Sequence, residues 1–282
     1  MRPGGLCSPD FHSSSASLSS VRNIFTFGCF LLGTLGAVSG AQAQSVSSSD
    51  EPSYQKEFIY GVNFNTRGGL IGGVSVRSTR VLNEQWARFW SIEGVEVKHP
   101  KEQRHPNPNT GGIYTNAKTN YLFVLRPSVG LERIIFRKAP DAGVQVSALL
   151  GAGPSIGLLM PYYIYYDYTA RDGNGRPVPP QDIRAEQYDP AKHPNSDLIV
   201  DRAPLFSGIN ETKPRLGAHL RGALNFEYGR YKDAVAGVET GFLLEAYPKE
   251  LPILKTVLIS DKKLNNKFFP SVYLTIYLGH RS

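Results

Sequence analysis

Leu216-Gly217-Ala218-His219-Leu220-Arg221-Gly222-Ala223-Leu224-Asn225-Phe226-Glu227-Tyr228 alternates residue by residue. Leu216, Ala218, Leu220, Gly222, Leu224, Phe226 and Tyr228 share one side. Gly217, His219, Arg221, Ala223, Asn225 and Glu227 share the other. A β-strand points successive side chains to opposite faces, so the segment reads as a strand with one apolar and one small-or-charged face. A soluble sandwich would bury the apolar face and leave the charges in water. A transmembrane barrel does the reverse, with apolar side chains outward and polar ones in the lumen. The identity of the fold turns on which of the two applies.

The same period recurs along the chain. Strands are expected at about 58–65, 70–79, 84–98, 118–136, from 142 on through the tyrosine run at 162–168, then 216–228, 231–247 and 267–279. The alternation falters between Trp86 and Ile92, which predicts a bulge or a register change in the third strand. Connections after strands two, four and six are short. Those after three, five and seven are long, the longest running from Thr169 to Lys213. Short turns at one end and long loops at the other are what an up-and-down membrane barrel needs, and a soluble lipocalin-like barrel has no reason to segregate them. The predicted fold is all-β: an eight-stranded antiparallel up-and-down transmembrane β-barrel with long outer loops. The long loop holds six prolines and six basic against seven acidic residues, so little buried apolar surface is expected of it.

Upstream, Ile24 to Val38 is an apolar run preceded by Arg22 and followed by Ala41-Gln42-Ala43, the pattern of a cleavable export signal. The expected organisation is a signal peptide at 1–43, a polar tether at 44–57 and the barrel at 58–282. Both cysteines, Cys7 and Cys29, precede the expected cut, so the exported chain would contain no disulfide. Of 31 basic and 24 acidic residues, the leader holds Arg2, Arg22 and Asp10, leaving 29 against 23. This mild basicity is spread out. It suits anionic lipid headgroups and gives no patch or motif for nucleic acid. Beyond the leader, no apolar stretch is long enough for a helical span.

Phe58-Ile59-Tyr60-Gly61-Val62-Asn63-Phe64, Gly151-Ala152-Gly153-Pro154-Ser155 and Ser271-Val272-Tyr273-Leu274-Thr275-Ile276-Tyr277-Leu278-Gly279 carry a resemblance to small eight-stranded outer-membrane barrels. The chain resembles the Bacteroidota-type proteins of the PorT/OmpX-like kind over about residues 58–279. The resemblance implies location in the cell outer membrane. It also implies a non-enzymatic structural or accessory role in an envelope assembly or secretion complex, with lipid and other envelope proteins as partners. The alternatives are an outer-membrane barrel enzyme acting on lipid A or protein, and a soluble periplasmic lipocalin-like binder.

An eight-stranded barrel has an interior wide enough only for side chains. The alternation places Arg77, Arg126, Glu132, Arg221, Glu227, Glu239 and Glu245 in it, with Asn225 and His219, as a charge network. Arg126 and Arg221 are expected to pair with acids such as Glu227 and Glu239. No Ser/His/acid set recurs at strand ends, so no catalytic residues are assigned, and no cofactor. His99 and His105 read as parts of a solvated turn, and Asp172-Gly173-Asn174-Gly175 lacks the acidic spacing of a calcium loop, so no metal site is assigned. Tyr162, Tyr163, Tyr165, Tyr166 and Tyr168 form a candidate partner surface, joined by the apolar stretch Leu251-Pro252-Ile253-Leu254.

Overall fold

The computed structural model describes residues 55–68, 72–137, 143–228, 234–257 and 260–282, the side chains of Asp261 and Lys262 excepted. The predicted signal, the cysteines, most of the tether and parts of the short turns lie outside these residues.

Eight strands close into a barrel: β1 (Lys56–Asn65), β2 (Gly73–Val81), β3 (Trp86–Val97), β6 (Asn120–Phe136), β7 (Val144–Pro161), β11 (Lys213–Tyr228), β12 (Ala234–Ala246) and β13 (Phe268–Arg281). Each pairs antiparallel with the next barrel strand in sequence, and β13 returns to β1, from Glu57↔Arg281 to Asn65↔Tyr273. Closure leaves no sheet edge in the wall. The intervening strands belong to the long connections. β4 (Gln103–Pro106) and β5 (Ile113–Asn116) form a hairpin. β8 (Tyr163–Asp167), β9 (Ile183–Gln187) and β10 (Ile199–Arg202) form a small sheet with β8 in the middle. The last long connection carries a one-turn helix, α1 (Asp261–Leu264).

The two-residue period decides which side chain goes where, and it does so in the membrane sense. Outward residues are apolar: Leu216 is 69% exposed, Val129 68% and Phe242 67%. Inward residues are charged: Glu245 is 0% exposed and Glu227 2%. Small inward residues make the lumen passable for the large ones. A Cβ on Gly130 or Gly151 would strike the Phe89 ring, and one on Gly237 would strike Tyr277.

Four expectations need correction. The first strand begins at Lys56, inside the segment read as a tether. The third strand has no bulge. Trp86, Arg88, Trp90 and Ile92 alternate outward with Ala87, Phe89, Ser91 and Glu93 inward, and its register with both neighbours is unbroken. Apolar residues on both faces blurred the polarity there without disturbing the backbone. The register shift lies instead in β6, between Ile134 and Phe136. The fifth strand does not run through the tyrosines: it ends at Pro161, and Tyr163 starts a separate sheet. Finally, the loop from Thr169 to Lys213 is folded. It supplies β9, β10 and two short 3-10 turns, and it shares an aromatic core.

Candidate functional site

The lumen is filled by three tiers of charge. At the end bearing the barrel's first and last strand ends, Arg281 donates to Glu57 at 2.8 Å and to Glu227 Oε1 at 2.8 Å. Glu132 accepts from Ser147 and, at 3.4 Å, from Asn225, which in turn accepts from the Tyr277 hydroxyl at 2.6 Å. In the middle tier Glu239 takes both Arg77 and Arg221, and the Tyr273 hydroxyl at 2.6 Å. Arg221 also reaches Glu93 at 3.6 Å, and its guanidinium lies 5.0 Å from the centre of the Tyr273 ring. Above them Arg126 bridges Glu93 at 3.2 Å and Glu245 at 2.7 Å. The Tyr247 hydroxyl donates to Glu245 at 3.0 Å. Charges taken out of water are tolerable only when paired and hydrogen-bonded, and this arrangement supplies both.

The predicted lumen residues Arg77, Arg126, Glu132, Arg221, Glu227, Glu239 and Glu245 are all buried. The expected pairs are only partly brought together. Arg221 meets Glu239, but Arg126 meets Glu93 and Glu245, and Glu227 meets Arg281. Glu132 acts on Arg77 through space, and its Oε2 has no hydrogen-bond partner. Glu57, Glu93, Arg281, Tyr273 and Tyr277 were not assigned to the network. Glu93 shares a strand with apolar residues on both faces, Glu57 was read as tether, and Arg281 follows the last predicted strand. Counting alternate positions from Ser91 finds Glu93, from Tyr277 finds Tyr273 and Arg281, and from Asn63 finds Glu57.

His219 sits between the Ser128 hydroxyl, 2.7 Å from Nε2, and the Ser155 hydroxyl, 3.1 Å from Nδ1. A serine beside a histidine suggests nucleophilic chemistry. Here the group is buried on every side, and the outer mouth above it is shut. Leu251, Ile253 and Leu254 drop into that mouth and pack with Val97, Leu122 and Phe269. Asn265 holds the plug by accepting from the Ile253 and Leu254 amides at 3.0 and 2.9 Å and donating to the Leu254 carbonyl at 2.8 Å. The apolar stretch at 251–254, expected to face a partner, is therefore a stopper. It lies among apolar rim residues that would otherwise meet water.

The tyrosine run divides between two faces. β8 turns Tyr162, Ile164 and Tyr166 into a core with Tyr114, Tyr121, Met160, Tyr188 and Ile199. Tyr162 and Tyr166 are thus unavailable to a partner, contrary to expectation: β8 is the central strand and one of its faces is covered. Tyr163 and Tyr165 share the opposite, half-exposed face, and Tyr168 is exposed. Tyr163 donates to Glu211 at 2.6 Å. Tyr168 donates to Glu186 at 2.5 Å, which pushes its own pKa up to about 12 and holds the Glu186 carboxyl below its usual value. His193 packs 4.7 Å from the Tyr166 ring and accepts from the Asp189 amide at 3.1 Å. The Tyr162 hydroxyl accepts from the Thr115 amide at 2.9 Å and ties the β4–β5 hairpin to this sheet.

His99 is not in a solvated turn. It is buried, with Asn266 3.3 Å from Nε2, and Glu102 accepts from its amide at 2.9 Å. His105 remains in the hairpin, 6.2 Å from the Tyr114 ring. Among the described residues no group of three or more His, Cys, Asp or Glu is placed to hold a metal ion.

No protein-family model matches the chain, and no curated protein matches it. The solved structures similar to the chain include these three. Ail, the attachment invasion locus protein of Yersinia pestis, is 8% identical, with 81% of this chain and 99% of that one covered and a TM-score of 0.36. The same protein in complex with the heparin analogue sucrose octasulfate is 8% identical, with the same coverage and a TM-score of 0.35. Neisserial surface protein A is 8% identical, covering 81% of this chain and 95% of that one, with a TM-score of 0.33. Likenesses this distant say nothing of function, and the barrel stands on its own strand pairing.

Proposed function

We propose that this chain is an outer-membrane β-barrel that works by protein association through its outer loops, without catalysis or conduction. The observation that carries the membrane reading is the inverted wall. Leu220, Leu224, Leu274, Ile276 and Leu278 face out mid-strand, while Arg221, Glu239 and Glu227 face in. In water such a belt is an aggregation liability, and hydrocarbon is the solvent that accepts it. Exposed aromatics sit near both ends of the belt. Trp86, Phe136 and Tyr228 lie at the short-turn end and Phe242 and Phe268 at the other, where membrane barrels carry aromatic girdles.

Function is assigned to the outer loops because the lumen is closed by its ion pairs and by the 251–254 plug. The outer sheet is a rigid platform. Its outward face carries Tyr163 across from Gln187, Tyr165 across from Ala185 and Asp167 across from Ile183. Large aromatics held by a sheet suit a protein interface with an apolar partner surface that accepts hydrogen bonds from tyrosine hydroxyls.

Topology is checked by tags on intact cells. A tag beside Asn195 should be labelled, and one between Tyr228 and Ala234 should not. Equal labelling of the two sinks the topology. The association is checked by Tyr163→Ser, Tyr165→Ser and Ile183→Ser together. This variant should keep heat-modifiable gel mobility and lose the proteins that co-purify with the unaltered chain in mild detergent. An unchanged set of co-purifying proteins would remove the outer sheet from consideration.

A further inference from the structure

The lumen pairs its guanidinium groups with carboxylates, but the wall holds three cations that the chain leaves alone. Lys56 of β1 lies directly across from Arg80 of β2, and Arg80 lies directly across from Arg88 of β3. All three are exposed on the outer surface. Side chains opposite one another on adjacent strands stand about 5 Å apart, and like charges so placed repel. None of the three has an ion-pair or hydrogen-bond partner for its side chain among the described residues. Such a row repels itself, and an anion seated on it would relieve that repulsion.

The next row supplies the rest of a site. Phe58, Ser78, Trp90 and Val129 lie across from one another on β1, β2, β3 and β6. The small Ser78 between two aromatic rings leaves a furrow. Gly130 has no side chain, so Phe89 from the lumen reaches its floor. The resulting groove is about 500 Å³ and is bordered by Lys56, Arg80 and Arg88. Above it the wall continues apolar through Tyr60, Val76 and Ile92. Beyond the cation row, toward the short turns, the Arg133 guanidinium lies 5.5 Å from the centre of the Trp86 ring.

We propose that this wall groove binds the phosphate headgroup of an anionic phospholipid, with Lys56, Arg80 and Arg88 on the phosphate and an acyl chain along Ser78, Trp90 and Val129. The proposal rests on the membrane reading above. The cations lie within three residues of their strand ends, at the end with the short turns, where that reading puts the inner leaflet. A soluble phosphate would use the cations and leave the furrow unfilled. An acidic peptide would have to enter hydrocarbon to fill it. A lipid has charge and chain in the order the wall presents them.

The test uses the full chain in vesicles of phosphatidylcholine with and without phosphatidylglycerol of the same acyl chains, and follows phosphatidylglycerol retention by native mass spectrometry after gentle extraction. The unaltered chain should retain phosphatidylglycerol over phosphatidylcholine. Lys56→Gln, Arg80→Gln and Arg88→Gln together should cut that preference by about tenfold or more, since each cation near an anionic surface adds roughly 1 kcal/mol. The triple variant should insert into phosphatidylcholine as well as the parent does, judged by heat-modifiable mobility. Equal retention by parent and triple variant overturns the lipid site while leaving the barrel reading intact. Failure of the parent to insert into any vesicle overturns the barrel reading first. Competition by glycerol phosphate at equal concentration makes the site one for soluble phosphate and overturns the lipid assignment, and competition by a polyglutamate peptide reassigns it to an acidic protein. An equal loss in Lys213→Gln, Arg215→Gln and Lys249→Gln shows general basicity, and also overturns it.

Discussion

The barrel and the sheet above it bury opposite things. In the barrel, Leu216 to Tyr228 turns its leucines and aromatics out and its Arg221, Asn225 and Glu227 in. In the outer sheet, Tyr162 to Asp167 turns Tyr162, Ile164 and Tyr166 in, while Asp182 and Arg184 pair in the open at 2.8 Å. Both regions use the same two-residue period, and both satisfy their backbone with antiparallel partners. On the membrane reading proposed above, the two inverted burial rules, meeting at Pro161 and Lys213, mark where the chain passes from hydrocarbon into water.

The sharpest way to break this comparison is to remove a cation from the lumen. Arg221→Leu strips Glu239 and the Tyr273 hydroxyl of one partner and Glu93 of another. Stranding buried carboxylates should cost about 3–5 kcal/mol. The temperature at which folded gel mobility is lost should fall accordingly. Arg221→Leu with Glu239→Leu should recover part of the loss, because a well-packed apolar pair avoids desolvating charges. A single variant that melts like its parent would mean the lumen charges are hydrated and the interior is not sealed.

The corresponding change in the outer sheet should behave differently. Ile164→Ala removes a fully buried side chain between Tyr162 and Tyr166 and should cost about 2–5 kcal/mol. That cost falls on the sheet. The barrel should keep its gel mobility, while proteolysis between Thr169 and Lys213 accelerates. Coupled loss of both would show that the two regions fold as one unit.

A third change separates the solvents directly. Leu224 of β11 faces out across from Thr240, the central residue of β12. Leu224→Arg should cost about 2–4 kcal/mol in a bilayer, read as a shift in urea-induced unfolding from phospholipid vesicles. The same substitution on a water-facing strand, such as Ala185→Arg in β9, should be near neutral. Equal and small effects at both positions would put the barrel wall in water.

How much of this was legible depends on how clean each face is. In β11 the apolar and charged faces never mix, and the sequence alone placed Arg221 and Glu227 in the lumen. In β3, Trp86, Trp90, Phe89 and Val95 put apolar residues on both faces. Glu93 was hidden as a result, though it bridges Arg126 and Arg221. The identities of the pairs were not legible at all, because they depend on the stagger of strands around the barrel. Arg126 and Glu245 are far apart in sequence and meet across the lumen. The 251–254 plug and the buried half of the tyrosine run were misread for a related reason. A short apolar run announces burial or an interface equally well, and only its neighbours in space decide between them.

The smallest expected effect concerns the rim of the barrel where the long connections leave it. His99 follows β3 and is buried beside Asn266, which leads into β13. Its Nδ1 accepts from the Lys101 amide at 3.3 Å, so a proton there would set two N–H groups against each other. Burial pushes its pKa below the usual 6.5, Glu102 opposing and Lys101 and Arg67 reinforcing the shift. A base with a lowered folded pKa is neutral in the folded state while the unfolded chain already binds a proton. The stability it contributes is therefore full above about pH 6.5 and is lost as pH falls below that value. Amides of residues 98–119 should lose hydrogen-exchange protection, corrected for intrinsic rate, between about pH 7 and pH 5, while those of β11 do not. His99→Gln keeps a neutral side chain and should flatten the profile. If the profile persists in that variant, another group titrates the rim, and burial of His99 is not the source of its acid sensitivity.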